Sequence, residues 1–79
     1  MGMTAPNQSL DARGLLCPLP VLKARKALKP LVPGALLELL ADDPAAIVDV
    51  PHFCMESGHE LVSQAEVDGY QVYVIRKAG

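Results

Sequence analysis

The sequence predicts a two-layer α/β (α+β) sandwich, in which a four-stranded mixed sheet carries two helices on one face. Three observations lead to this fold class. An amphipathic segment begins at a pair of prolines, an aliphatic run of seven residues follows it, and Asp68-Gly69 separates two β-prone segments near the C-terminus. The predicted order is β-α-β-α-β-β. With 79 residues, 51% of them hydrophobic, the chain has room for one small domain.

The first strand and the first helix are predicted on either side of Gly14. Residues 9–13 alternate between polar and apolar types, which is typical of a short strand. Pro18 and Pro20 fit the first helical turn, because the N–H group that proline lacks would have no partner there. We therefore predict a helix over residues 18–29, with Cys17 at its cap and prolines beyond its end.

This helix is predicted to bury one face. At about 100° per residue, its apolar arc contains Val21, Ala24, Ala27, Leu28 and Leu31. The opposite arc contains Lys23, Arg25, Lys26 and Lys29. Leu19 and Leu22 project into the charged arc beside Cys17. They form either a docking patch with a basic rim or two isolated exposed leucines, which are common on protein surfaces.

A second strand is predicted over residues 35–41, because this run is too short for a typical helix and turn residues bound it. Strand, helix and strand in succession predict that the first two strands are parallel. Asp43 as N-cap and Pro44 as first helical residue predict a second helix that ends at Gly58. Pro51 lies inside it, so we expect a kink or a break near residues 47–51.

The last two strands are predicted over residues 60–67 and 70–77. Asp68-Gly69 between them is a strong hairpin signal. The segment 70–76 is rich in tyrosine, valine and isoleucine, which favour strands.

Composition excludes several functional classes. A net charge of −2 and a pI of about 5.5 give no broad basic surface, so we expect no strong direct binding of nucleic acid. No apolar run approaches the roughly 18 residues that a membrane span needs, and residues 1–10 lack the pattern of a secretory signal. We expect a cytoplasmic protein with a flexible segment 1–8 and a single domain 9–79. Cytoplasmic thiols stay reduced, so the two cysteines are not predicted to form a structural disulfide.

Cys17 is the main chemical candidate. At a helix start, free N–H groups and the helix dipole stabilise an anion, which would lower the pKa of the thiol. Since the two prolines remove donors, the expected contacts are the N–H groups of Leu19 and Val21. The competing interpretation is that Cys17 is a small buried hydrophobic residue.

The other candidates have structural explanations. Cys54 is either a thiol that resolves Cys17 or, as we favour, a core residue. His52, Cys54 and His59 do not have the spacing of a metal site, so no metal is expected. His59 is either a base for Cys17 or a surface histidine.

Asp42 and Asp43 are interpreted as helix-capping residues. The chain has no phosphate-binding glycine loop and no dinucleotide fingerprint, so no cofactor is expected. It also lacks Cys-x-x-Cys, because Pro20 occupies the place of a second cysteine.

These residues resemble a known family. Residues 10–20 are similar to the N-terminal signature of the TusA/SirA-like sulfur carrier proteins, with its Cys-Pro-x-Pro element. The similarity continues through Pro33-Gly34, Asp42-Asp43-Pro44, Phe53-Cys54, Gly58-His59-Glu60-Leu61 and Ile75-Arg76-Lys77. It covers nearly all of residues 9–77.

The resemblance implies a sulfurtransferase in the broad sense, in which Cys17 carries sulfur as a persulfide and Pro18 and Pro20 complete the motif. The sulfur would come from a cysteine desulfurase and pass to an acceptor protein, and finally into 2-thiouridine of tRNA. Other family members serve sulfur oxidation, molybdenum cofactor biosynthesis or selenium handling.

Partner contacts are predicted at Arg13, Leu19, Leu22 and Lys23. Relatives often have a polar residue where this chain has Leu19, so the identity of the partner stays open. Two alternatives also stay open. One is a regulatory or interaction module without sulfur transfer, and the other is a redox protein that cycles Cys17 with Cys54.

Overall fold

The computed structural model describes residues 6–79 and contains four strands and two helices in the predicted order. The elements are β1 (Gln8–Asp11), α1 (Leu19–Leu28), β2 (Leu36–Ala41), α2 (Ala46–Ser57), β3 (Glu60–Val67) and β4 (Tyr70–Arg76).

The four strands form one mixed sheet in the order β1-β2-β4-β3. β1 and β2 are parallel, as predicted, and the other neighbours are antiparallel. At the β3–β4 turn, Asp68 has a φ of 47° and Gly69 a φ of 87°. Two consecutive positive φ angles match the twist of a tight hairpin, which explains why Asp-Gly occupies this turn.

The core lies between the sheet and the two helices. Alternate residues of β2 and β4 are fully buried, including Leu37, Leu39, Tyr73 and Ile75. The predicted faces of α1 are confirmed. Ala24 and Leu28 are buried, Val21, Ala27 and Leu31 pack partly against the core, and Lys23, Arg25, Lys26 and Lys29 are exposed.

The end of β4 is tied to the end of α1. The Lys77 Nζ group donates hydrogen bonds to the carbonyl oxygens of Leu28 at 2.8 Å and Leu31 at 2.9 Å. A cation there satisfies carbonyl groups that lack partners within the helix and complements the negative end of its dipole. This contact secures α1 on the sheet at the end opposite Cys17.

The ordered chain begins earlier than predicted. β1 starts at Gln8, and the Asn7 N–H donates to the Leu36 carbonyl oxygen at 2.9 Å. The Leu36 N–H in turn donates to the Asn7 side chain. Asn7 and Gln8 of the segment predicted to be flexible are thus paired with β2, and residues 1–5 of that segment lie outside the described residues.

α2 begins later than predicted. The N-cap position is Ala45 and not Asp43, and residues 43–46 form a tight turn in which the Ala46 N–H donates to the Asp43 carbonyl oxygen at 2.9 Å. The predicted end is confirmed, since Gly58 has a φ of 81° and terminates the helix. The helix runs continuously through Pro51, so the break suggested by that proline does not occur.

Candidate functional site

Cys17 lies in the loop between β1 and α1 and is exposed. The Cys17–Pro18 peptide bond is cis. Pro18 occupies the N-cap position, so Cys17 precedes the cap instead of forming it. The Leu19 N–H donates to the Leu16 carbonyl oxygen at 2.8 Å. This donor therefore does not face the thiol, contrary to the prediction.

Two aspartates hold the Cys17 loop in place. The Gly14 N–H donates to Asp42 Oδ1 at 2.9 Å, and the Cys17 N–H donates to Asp43 Oδ2 at 2.6 Å. Asp43 Oδ1 also accepts the Ala45 N–H at 3.1 Å. The capping interpretation of this pair was thus incomplete. β1 and β2 are parallel, so their carboxyl ends lie at one edge of the sheet, and residues after one strand can reach the loop after the other.

The thiol opens onto a shallow groove of about 180 Å³ between α1 and α2. The residues that line this groove are Cys17, Pro18, Val21, Arg25, Asp49, His52, Phe53 and Glu56. The Arg25 guanidinium lies 5.0 Å from the centre of the Phe53 ring. His52 Nε2 lies 3.6 Å from the Glu56 carboxylate.

The electrostatic environment of Cys17 is acidic. Its pKa is raised, first by hydrogen bonding with the Asp49 carboxylate, then by partial desolvation, and then by the negative charges of Asp49 and Asp43. The expectation of a lowered pKa is therefore wrong. Pro18 and Pro20 have no N–H group, the Leu19 N–H is already used, and two carboxylates act against ionisation.

Exposed leucines lie close to Cys17 along the chain. Leu19 and Leu22 are 44% and 49% exposed, as predicted from their place on the charged arc of α1. Leu16 is 69% exposed and adds a third apolar side chain directly before Cys17. We call Leu16, Leu19 and Leu22 the leucine rim. The sequence pattern did not single out Leu16, because no helical period applies in the loop that contains it.

The family model described as "Sulfurtransferase TusA" matches residues 8–77. The chain belongs to the TusA sulfurtransferase family. Its fold is similar to the crystal structure of a SirA-like protein from Desulfitobacterium hafniense, with a TM-score of 0.80 and 27% sequence identity. That match covers 91% of this chain and 99% of the other chain. Membership of the TusA family gives the chain a sulfur-carrier role in general terms, with partners in sulfur relay.

The two prolines of this TusA-family chain differ in their surroundings. Pro18 lines the groove beside Cys17, whereas Pro20 is buried within the first turn of α1. One proline therefore forms part of the surface at the thiol, and the other is enclosed at the start of the helix.

The predicted basic contacts lie away from the groove. Arg13 makes a double ion pair with Asp11, with both N–O distances at 2.9 Å, and its guanidinium lies 4.7 Å from the centre of the Tyr70 ring. These hydrogen bonds lower the pKa of Asp11 to about 2. Lys23 lines a different depression, with Leu10, Lys26 and Ala27. Neither side chain is among the residues that line the groove.

Cys54 is a free, buried thiol on α2, and burial raises its pKa to about 11. This environment fits the core interpretation. His59 Nδ1 accepts the Ala78 N–H at 2.9 Å, so this nitrogen is already engaged. The pKa of His59 is lowered by burial and by the charges of Lys77 and Arg25. His59 does not line the groove and is not placed as a base for Cys17.

Within residues 6–79, no three His, Cys, Asp or Glu side chains are grouped so that they could hold a metal ion. No helix in the described part of the chain has the length and apolar character needed to cross a membrane.

Proposed function

We propose that Cys17 accepts sulfur from the persulfide of a cysteine desulfurase-type donor and passes it to an acceptor protein. The observation that carries this proposal is the exposure of the thiol at an open groove, beside the leucine rim. A large partner can reach such a thiol directly. Cys54, in contrast, is enclosed by the core and offers no approach.

The transfer step needs no redox partner. Cys17 Sγ attacks the outer sulfur of the donor persulfide and forms a new S–S bond. The S–S bond of the donor breaks, and its electron pair goes to the inner sulfur, which leaves as a thiolate. This thiolate takes up the proton that Cys17 loses. Transfer from Cys17 to an acceptor thiol repeats the same exchange with the roles reversed.

We assign the partner contacts to the surface around this thiol. Leu19 and Leu22 supply apolar area for docking, and Leu16 extends it. Arg13 and Lys23 remain proposed contacts and, like the leucine rim, do not line the groove itself. Pro18 and Pro20 fix the course of the chain that presents Cys17.

We place this relay in the cytoplasm, where a free thiol persists. The end use is the formation of 2-thiouridine in tRNA or another sulfur-trafficking route. With a net charge of −2, the chain is suited to reach RNA through a partner protein instead of binding it directly.

A sulfur-loading assay tests the proposal. The protein is incubated with a cysteine desulfurase and ³⁵S-labelled cysteine, and the label is followed on non-reducing gels. We expect wild type and Cys54→Ser to become labelled, with the label removed by a thiol reductant. Cys17→Ser is expected to remain unlabelled.

Absence of label on wild type beside an active desulfurase would contradict the carrier proposal. The leucine rim would then support the alternative of a binding module. Labelling of Cys17→Ser would also contradict it, because the sulfur would then reside on another group.

A further inference from the structure

We propose that Asp43 is a positioning residue for sulfur transfer, because its carboxylate holds the backbone of Cys17 in the orientation that a sulfur-bearing partner meets. The carboxylate acts through the Cys17 N–H group, which donates to Asp43 Oδ2 at 2.6 Å, and not through the incoming sulfur. The inference rests on the proposed function, since it concerns the same transfer step at the same thiol.

Asp43 is held in place by the turn that precedes α2. It follows β2, whose last residue, Ala41, is fully buried in the core. The Asp43 carbonyl oxygen accepts the Ala46 N–H at 2.9 Å, and Asp43 Oδ1 accepts the Ala45 N–H at 3.1 Å. The two oxygens of one carboxylate therefore join this turn to the residue that carries the thiol.

The chain beside the thiol has few other connections to the rest of the fold. The Leu15 N–H donates to the Ala12 carbonyl oxygen at 3.2 Å, and the Leu19 N–H donates to that of Leu16 at 2.8 Å, so both bonds stay within the loop and the start of α1. In the part of the chain that the structure describes, Cys17 has the one backbone N–H group between Gly14 and α1 that bonds to another element. The Asp43 contact thus sets the place of Cys17 relative to α2.

An exposed nucleophile depends on such a contact. The Cys17 side chain is exposed at an open groove, so neighbouring side chains do not enclose it. A hydrogen bond from its backbone to a carboxylate is charge-assisted and therefore among the stronger ones. It restricts the directions in which the thiol points, and correct orientation of the reacting atoms contributes a large part of the rate of a transfer between two bound groups.

The charge and the hydrogen bond of Asp43 act in opposite directions. The negative charge contributes to the raised pKa of Cys17, so its removal favours the thiolate and a faster reaction with any electrophile. Loss of the hydrogen bond frees the backbone and slows a reaction that needs alignment with a docked partner. A small reagent and a partner-bound persulfide should therefore respond differently to the same substitution.

The experiment compares these two reactions in Asp43→Ser. The serine hydroxyl can still accept the Ala45 N–H two residues along the chain, but the oxygen that bonds to Cys17 is lost. We expect single-turnover transfer of ³⁵S from a saturating, labelled cysteine desulfurase to slow by about tenfold. The donor concentration that gives half the maximal rate should change little. Alkylation of Cys17 by iodoacetamide should be as fast as in wild type or faster.

The matched control is Asp42→Ser. It removes the same charge from the adjacent residue and a bond to Gly14, but it leaves the Cys17–Asp43 bond in place. Its transfer rate should fall clearly less than that of Asp43→Ser. Hydrogen exchange of the Cys17 N–H, followed by NMR, reports the contact directly, and this exchange should be slowed in wild type and in Asp42→Ser but not in Asp43→Ser.

Equal transfer rates for Asp43→Ser and wild type would overturn the inference. Equal losses in Asp42→Ser and Asp43→Ser would also overturn it, because the effect would then belong to the loop as a whole. A parallel fall in alkylation would do the same, since the thiol itself would have become less reactive.

Thermal unfolding shows whether Asp43→Ser is folded. If it is not, hydrogen exchange in wild type still tests the contact, and a Cys17 N–H that exchanges like an unstructured amide would overturn the inference. Loading of wild type separates this failure from failure of the carrier function. Normal and equal loading rates of wild type and Asp43→Ser would refute the role of Asp43 alone, whereas wild type that does not load contradicts the carrier proposal itself.

Discussion

The two thiols of this chain have raised pKa values for different reasons. Cys54 lies in the core on α2, and burial alone raises its pKa to about 11. Cys17 is exposed, and its pKa is raised mainly by the Asp49 carboxylate, with further contributions from desolvation and from Asp43. Exclusion of water raises the pKa of one thiol, and neighbouring carboxylates contribute most to the raised pKa of the other.

This difference determines which of the two thiols can change its protonation while the fold stays intact. The contacts that bury Cys54 are also the core contacts that hold the fold together. The environment of this thiol therefore cannot change unless the core opens. The protonation of Cys17 depends on side chains at the surface, so it can change while the fold stays intact.

The largest expected effect is on accessibility. In the native protein, Cys17 should react with iodoacetamide at least about 10³-fold faster than Cys54, because exposure of Cys54 needs opening of the core, which costs several kcal/mol. The rates are measured by peptide mass spectrometry with and without denaturant. Comparable native rates would show that Cys54 is accessible and would remove the contrast.

The second largest effect is expected on the free energy of unfolding, and it compares the buried and the exposed face of α1. Leu28→Ala should reduce the free energy of unfolding by about 2–4 kcal/mol, because it leaves a cavity in the core. Leu22→Ala, the matched control on the exposed face, should change it by less than about 0.5 kcal/mol. Urea unfolding measures both values. Equal losses would mean that the faces of the helix are wrongly assigned.

A smaller effect is expected when each sulfur is replaced by oxygen. Cys54→Ser should cost about 1–3 kcal/mol of stability, because a hydroxyl in the core has a desolvation penalty. Cys17→Ser should leave the stability within about 0.5 kcal/mol of wild type. The measurement is again urea unfolding. A neutral Cys54→Ser would indicate a hydrogen-bond partner or water at that position.

The smallest effect concerns the leucine rim. Leu22→Asp should weaken binding of the sulfur donor by about tenfold, or ~1.4 kcal/mol, while stability stays close to that of wild type. Calorimetric titration with the desulfurase measures the affinity, and Val32→Asp, another exposed apolar position, is the control. Equal affinity for both variants would exclude Leu22 from the docking surface.

Local sequence patterns were sufficient for most of the fold. The prolines near residue 18, the Asp68-Gly69 turn and the glycine at 58 each act within a few residues, so their consequences could be predicted. The first and last residues of the helices and strands were predicted less accurately. At α2, local patterns did not reveal that the Asp43 carboxylate binds the Cys17 loop as well as the Ala45 N–H, since the first of these contacts spans 26 positions.

The site was predictable only in part for the same reason. Exposure of Leu19 and Leu22 followed from the helical period. The acidic surroundings of Cys17 did not, because Asp43 and Asp49 reach it through the parallel pairing of β1 and β2 and the packing of α2. Arg13 was predicted as a partner contact, and the sequence did not reveal that Asp11, two residues earlier, forms an ion pair with it.

The acidic surroundings of Cys17 have a consequence for the proposed carrier function. A persulfide is a stronger acid than a thiol, so a persulfide on Cys17 would carry a negative charge near the charges of Asp43 and Asp49. Repulsion between like charges would raise the free energy of this group relative to the same group in less acidic surroundings. Its transfer to an acceptor thiol would then be more favourable, and the site would favour a short residence of the cargo over retention.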